Sequence, residues 1–453
     1  MILPITLTFS PMSNTGKIFL WSISAALGGF LFGFDTAVIS GAEQTLQVLW
    51  NSSAFEHGLT VSVALIGTVI GALYGGVPAD KYGRKISLLV VAVLYLVSAL
   101  GSGLATGWGM FLIFRFIGGV GVGISSVVAP MYISEIAPPS RRGRLVALFQ
   151  FNIVLGILVS YLSNYALEGI GENAWRWMLG VEAIPALLFM VTLFFIPESP
   201  RWLILKRNKI HEAREILNVS DSEEAERVVV AILKSQHQST KGSFQDLFKP
   251  LYKTPVRLAV LFALFNQLSG INAIIYYAPR VFEMAGLGKE SALLSSAGIG
   301  LVNLLATLLG LSLIDKFGRK FLMYVGTLGV ITALVLVANA FFSENLGGAQ
   351  VPIYLFIYIA FFALSQGAVI WVFISEIFPN DIRAYGQSLG SFTHWMAAAI
   401  ISFIFPYIAQ TFGGGTTFSF FAGMMVLQFV FVWKMMPETK GTSLEGIEEV
   451  VAA

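Results

Sequence analysis

The sequence predicts an all-α membrane protein with twelve transmembrane helices arranged as two pseudo-symmetric six-helix bundles. Three observations predict it. The composition is extremely apolar, long apolar runs fall into two groups of six, and motifs from the first half return in the second.

Of the 453 residues, 56% are hydrophobic and only 12% are charged, and the mean hydropathy is +0.76. Soluble domains carry about 25% charged residues, so this chain has too little polar surface to stay in water. A net charge of +2 implies no nucleic-acid partner. With no cysteine there is no disulfide and no thiolate zinc site. The sequence holds no Walker loop, no metal-ligand cluster and no nucleophile–base pair, so neither a cofactor, nor ATP, nor enzymatic activity is expected. Lys17 precedes a first apolar run that has no small-residue cleavage site, and the run reads as a retained helix.

A crossing helix needs about 20 mostly apolar residues. Such runs occupy 18–40, 58–79, 86–105, 109–134, 145–166, 177–196, 256–284, 291–314, 321–342, 351–375, 385–411 and 416–436. They divide the chain into an N-terminal six-helix bundle (1–196), a cytoplasmic linker (197–255), a C-terminal six-helix bundle (256–436) and a cytoplasmic tail (437–453). In the linker, HEAREIL at 211–217 and DSEEAERVVVAILKSQ at 221–236 alternate charged and apolar positions at helical spacing.

Lys and Arg stay on the cytoplasmic side of membrane helices. One set of loops holds Lys81, Arg84, Lys85, Arg141, Arg142, Arg144, Lys316, Arg319, Lys320 and Arg383, whereas the alternate set holds little beyond Arg176 and Lys289. The basic set is therefore expected in the cytoplasm, together with both termini, in a multi-pass protein of the plasma or bacterial inner membrane.

The repeat supports two related halves. DKYGRK at 80–85 returns as DKFGRK at 315–320, SEIAPPSRRGR at 134–144 as SEIFPNDIRAYG at 375–386, and PESPRWL at 197–203 as PETKG at 437–441. Three ordered matches at a nearly constant offset are not chance similarity of basic loops. Two homologous halves with a site between them suit rocking transport.

These motifs, with GFDTAVISG (33–41), RFIGGVGVG (115–123), NQLSGINAIIYYAP (266–279) and WVFISEIFPNDIR (371–383), cover nearly the whole chain in family order. The chain resembles the sugar porter branch of the major facilitator superfamily, which holds xylose–proton and hexose–proton symporters and the animal glucose facilitators. The resemblance implies the major facilitator fold and the transport of a monosaccharide, either coupled to protons or by uncoupled facilitation.

An ionisable side chain inside a membrane costs several kcal/mol unless paired or hydrated, which makes it a functional candidate. Asp35, Arg115 and Glu182 are the three that stand out, and counting residues from the outer ends of their helices places them at one common depth. While Arg115 pairs with Asp35 the acid stays ionised; once the pairing loosens, burial favours the neutral acid and it takes a proton. The alternative is a static charge cluster that fixes the helices. The resemblance links an acid at the position of Asp35 to proton coupling.

A hydroxyl-rich ligand is held by amides, which donate and accept at once, and by aromatic faces. Gln150, Asn266, Gln267, Asn272 and Asn303 are amides in apolar helices. Gln267 and Asn272 share a helix face only if Gly270 opens the helix between them. Trp371 lies well inside its helix, away from the interface where tryptophan usually sits. The resemblance places the helix-7 amides, Gln150 and Trp371 on sugar contacts; Trp395, Tyr276, His394 and Phe32 are further candidates. The chain departs from the family pattern at Asn266, where many relatives have Gln, at His394, where a symporter member has Gln, and at Gly367-Ala368, which lacks a common proline.

Asp80, Arg84, Glu135, Arg144, Glu198, Arg201, Asp315, Arg319, Glu376, Arg383 and Glu438 pair acids with bases in the repeated basic motifs, and read as a cytoplasmic gate. Gly119, Gly121 and Gly123 lack the strand–turn–helix setting of a nucleotide loop, and like Gly67, Gly71 and Gly75 read as small-residue packing ladders.

Overall fold

The computed structural model describes residues 14–139, 141–218, 222–238, 243–344, 346, 348–379 and 382–441. Among these residues there are helices and no strands. In lipid every backbone N–H and C=O must be satisfied internally, and helices do this within each segment.

The first six crossings are α1 (Asn14–Leu49), α2 (Ala54–Tyr74), α4 (Arg84–Gly103), α5 (Trp108–Ile136), α6 (Arg142–Leu167) and the broken helix α7 (Ala174–Gly180) with α8 (Ala183–Phe194). A short helix, α3 (Gly76–Tyr82), follows α2 on the face that carries the basic motifs, called the basic face below. Between the halves run α9 (Pro200–Arg207), α10 (Ile210–Leu217) and α11 (Ser222–Gln238), packed through Trp202, Leu203, Ile204, Ala213, Leu217, Ala225 and Val229. Position 221, assigned to the last of these from sequence, lies outside the described residues, as do 1–13 and the tail beyond 441.

The seventh crossing is in three pieces: α12 (Lys253–Leu268), α13 (Ile271–Tyr276) and α14 (Ala278–Met284). The others are α15 (Lys289–Phe317), α16 (Arg319–Phe342), α17 (Gln350–Phe362) continuing through a π-helical turn at Ala363–Gly367 into α18 (Ala368–Glu376), and α19 (Arg383–Lys434). Gly413, at φ 75°, breaks α19 into two crossings. The fold is thus twelve crossings in two six-helix bundles.

Glycine decides how closely α2 and α5 approach. A Cβ added at Gly67 would meet the Phe116 carbonyl oxygen at 2.3 Å, one at Gly71 that of Val120 at 2.2 Å, and one at Gly119 that of Ala64 at 1.9 Å. The outer surface is apolar: Val90, Val93, Val97 and Leu100 follow helical spacing along α4 and all are exposed. A stripe of this kind along a helix long and apolar enough to cross a membrane fits a lipid-facing surface.

One boundary departs from the sequence expectation. The first helix runs to Leu49 rather than ending at 40. Its last turns carry Glu43, Gln44 and Gln47, which an apolar-window rule reads as loop. Asp35 therefore lies fourteen residues from the outer end of α1, about 21 Å along the axis at 1.5 Å per residue. The count from the outer end of α1 is corrected accordingly, while the direct bond between Arg115 and Asp35 keeps those two at one depth.

Candidate functional site

The three intramembrane charges do come together. Arg115 is 1% exposed, and its Nη1 donates to the Asp35 carboxylate while its Nη2 donates to the Asp35 backbone oxygen at 3.2 Å. Glu182 sits at the break between α7 and α8, buried, and interacts electrostatically with both charges. Its Oε1 has no hydrogen-bond partner among the described residues. The group is one base between two acids, with a direct bond to only one of them.

A second cluster forms where the seventh crossing opens. Gly270 has φ 86°, a left-handed conformation that side-chain-bearing residues resist. The resulting break turns Asn272 back towards Gln267, and Asn272 Nδ2 donates to Gln267 Oε1 at 2.8 Å. Gln267 Nε2 donates to Asn266 Oδ1 at 3.0 Å and lies 3.1 Å from His394 Nε2. Asn266 Nδ2 is buried with no partner among the described residues, a donor left for a further acceptor.

Aromatic rings continue this cluster. The Trp371 ring centroid lies 4.9 Å from that of His394 and 6.4 Å from that of Trp395. Trp371 is 37% exposed, while His394 and Trp395 are buried. A half-open indole beside buried amides offers an apolar face and hydrogen-bonding edges together. The π-helical turn just before α18 shifts the register that sets the direction of Trp371, and such turns concentrate at functional sites.

The two clusters meet through α1. Phe32 packs obliquely on Trp395 at 5.3 Å, and Thr36, beside Asp35, lies by Tyr276 of α13. Two proposed site residues form no hydrogen bond with the amide cluster among the described residues. Gln150 is half-buried on α6 and makes no hydrogen bond among the described residues. Asn303 accepts from Thr307 at 3.4 Å on its own helix, α15.

The basic motifs build two copies of one arrangement. Arg84 is held by Glu135 at 2.9 Å and by Asp80 at 3.1 Å; Arg319 is held by Glu376 at 2.7 Å and by Asp315 at 3.3 Å. Glu198 accepts from the backbone N–H groups of Arg84 and Lys85, and Glu438 from those of Arg319 and Lys320, so each carboxylate caps a helix start. Burial pushes the Glu198 carboxyl up, against the pull of these N–H groups and of the Arg84 charge. Each of these pairs lies within one half of the chain. Arg383 donates to the Phe378 backbone oxygen at 3.0 Å. Arg144 and Arg201 are exposed and form no ion pair among the described residues.

Bonds between the halves gather on the opposite face. Arg280 of α14 donates to Glu43 of α1, Gln44 donates to Glu283 at 3.1 Å, Lys289 pairs with Glu168 at 2.6 Å, and the Tyr161 hydroxyl donates to the Ile275 carbonyl at 2.7 Å. The molecule is closed there. The sequence reading missed Glu43, His57 and Arg280. Glu43 fell past a boundary drawn at 40 and His57 just before one drawn at 58, whereas Arg280 lies inside the run 256–284, where a charge in an apolar segment was the signal.

Residues 21–451 match the family model described as sugar (and other) transporter. The chain belongs to the sugar porter family of the major facilitator superfamily. It is 38% identical to the arabinose-proton symporter of Bacillus subtilis strain 168, over 96% of both chains. It is 37% identical to the D-xylose-proton symporter of Escherichia coli K12, again over 96% of both. Its structure superposes on the inward open conformation of the xylose transporter XylE from E. coli with a TM-score of 0.84, at 35% identity, covering 95% of this chain and 99% of that one. The family transports its ligands rather than transforming them, so this sugar porter is a transporter and not an enzyme.

Proposed function

We propose that this protein carries a monosaccharide, a pentose or hexose, together with protons by alternating access. The observation that carries the reading is the buried Arg115–Asp35 pair, linked through α1 to a cluster of amides and indoles. Asp35 takes a proton when its pairing with Arg115 loosens, Glu182 competes for the guanidinium, and movement of α1 carries Phe32 and Thr36 against Trp395 and Tyr276. Sugar hydroxyls bond Asn266, Gln267 and Asn272, with Gln150 and Asn303 approaching as the halves rock, and the ring stacks on Trp371.

The basic face is the cytoplasmic one, with both termini on that side of the cell membrane, and the linker 197–255 joins the bundles 1–196 and 256–436 there. Asp80, Arg84, Glu135, Glu198, Asp315, Arg319, Glu376 and Glu438, with Arg144, Arg201 and Arg383, form the cytoplasmic gate. The partners are a sugar, protons and the lipid bilayer. The relatives' names, arabinose-proton and D-xylose-proton symporter, support coupling. Uncoupled facilitation is the competing reading.

The test is uptake of radiolabelled arabinose, xylose and glucose into proteoliposomes with and without an imposed pH gradient. Accumulation above the external concentration only with the gradient is expected. Equilibration without accumulation would hand the case to the facilitator reading.

A further inference from the structure

At the face opposite the basic motifs, three elements meet on one carboxylate. Glu43 of α1 is fully buried. Its Oε1 accepts from Arg280 Nε at 2.9 Å and its Oε2 from Arg280 Nη2 at 2.6 Å, a two-pronged bond of the strong kind. His57, fully buried on α2, places Nε2 2.7 Å from the same Oε2. Arg280 Nη2 also donates to Gln47 Oε1 at 2.7 Å, one turn along α1 from Glu43. Glu43, Gln47 and His57 belong to the first half and Arg280 to the second.

Glu43 and His57 are shut off from water, while Arg280 keeps a small exposed edge. The His57 ring packs on Tyr277 at 6.1 Å, Tyr277 packs on Phe405 at 5.0 Å, and the Tyr277 hydroxyl donates to the Ser402 backbone oxygen. Arg280 lies four residues beyond the end of α13, in the first turn of α14, on the stretch that leads from Asn272 and Tyr276 in the amide cluster. Opening this face requires α14 to leave α1, and that motion separates Arg280 from Glu43. A bond made in one state and absent from the other biases the equilibrium by its full differential energy.

We propose that Glu43, His57 and Arg280 form an outer latch, a set of residues that holds the carrier closed to the outside and must release before sugar enters from that side. The inference rests on the alternating-access reading above. Its location at the end of the broken seventh crossing ties the latch to the binding amides. Glu43 anchors both partners, His57 fixes the carboxylate from the first half, and Arg280 supplies the bond that opens.

A cysteine-free chain makes the test direct. Gln44 and Glu283 face each other across the same seam and lie outside the latch itself. The double substitution Gln44→Cys/Glu283→Cys, treated with a short bifunctional maleimide, reports closure without sugar or protons. Fast cross-linking is expected in this background. Adding Arg280→Gln is expected to slow it severalfold while sugar binding, read by calorimetry, persists. A variant that binds sugar yet cross-links at the unaltered rate overturns the latch. If Arg280→Gln is not recovered folded, Glu43→Gln is read in the same way; if neither folds, the cluster is a structural brace and the proposal falls. Proteoliposome uptake keeps the two readings apart, because a failed latch leaves coupled uptake intact, whereas absent uptake leaves the cross-linking result standing.

Discussion

An amide in a membrane interior is costly until both of its edges are bonded, and Gln267 meets that demand with three neighbours at once. If this cluster is the proposed sugar site, sugar hydroxyls would exchange into an existing network rather than create one. Gln267→Ala leaves Asn272 and His394 facing a gap and removes a proposed ligand contact. Trp371→Ala removes the one half-exposed ring of its group. Each is expected to weaken sugar binding by about 1–3 kcal/mol, roughly 5- to 150-fold, with protein still extractable and monodisperse. Calorimetric titration giving parental affinity in both variants would remove this cluster from the binding site. His394→Gln restores an amide where a symporter member of the family has one, and is expected to change which sugar binds best rather than to abolish binding. Competition among arabinose, xylose and glucose reads this out, and an unchanged order of preference would make His394 structural.

At the scale of elements, close approach is written in glycine and was legible as such. Gly67, Gly71 and Gly119 were read as a packing ladder from their spacing alone, and each faces a backbone oxygen of the partner helix. Gly119→Val therefore drives side-chain atoms into the Ala64 carbonyl, and over-packing of this kind costs about 1–3 kcal/mol or more. A clear drop in thermal unfolding midpoint in detergent is expected. Gly76→Ala, where an added Cβ meets nothing within 4 Å, is the control and is expected to leave the midpoint unchanged. Equal effects in the two would refute the packing account. What sequence reading lost at this scale was the reach of helices past the apolar window. Glu43, Gln44 and Gln47 continue α1 because its backbone bonds continue and because Arg280 and Glu283 satisfy these side chains. Partners from the other half of the chain are invisible to a window of twenty residues. The break at Gly270 was visible, since a glycine between Gln267 and Asn272 is what a turn there requires; the π-helical turn at Ala363–Gly367 was not, since sequence offered only a missing proline.

For the whole molecule, the question is whether binding in one cluster is tied to charge in the other. The two clusters share α1, which carries Phe32, Asp35 and Thr36 within five consecutive positions. Under the proposed coupling, a proton on Asp35 would weaken its hold on Arg115, and the helix that carries Asp35 is the one beside Trp395 and Tyr276. Asp35→Asn keeps the shape of the side chain and removes its capacity to cycle between ionised and neutral forms. Glu182, buried nearby and with one unbonded oxygen, remains as a counter-charge for Arg115, so the variant is expected to fold. Each elementary charge that enters down 100 mV supplies about 2.3 kcal/mol, enough for nearly fifty-fold accumulation. Proteoliposomes carrying Asp35→Asn are expected to bind and exchange sugar while failing to concentrate it under an imposed gradient. If they concentrate sugar as the unaltered protein does, the proton travels by another group, and Glu182→Gln becomes the variant that should abolish accumulation.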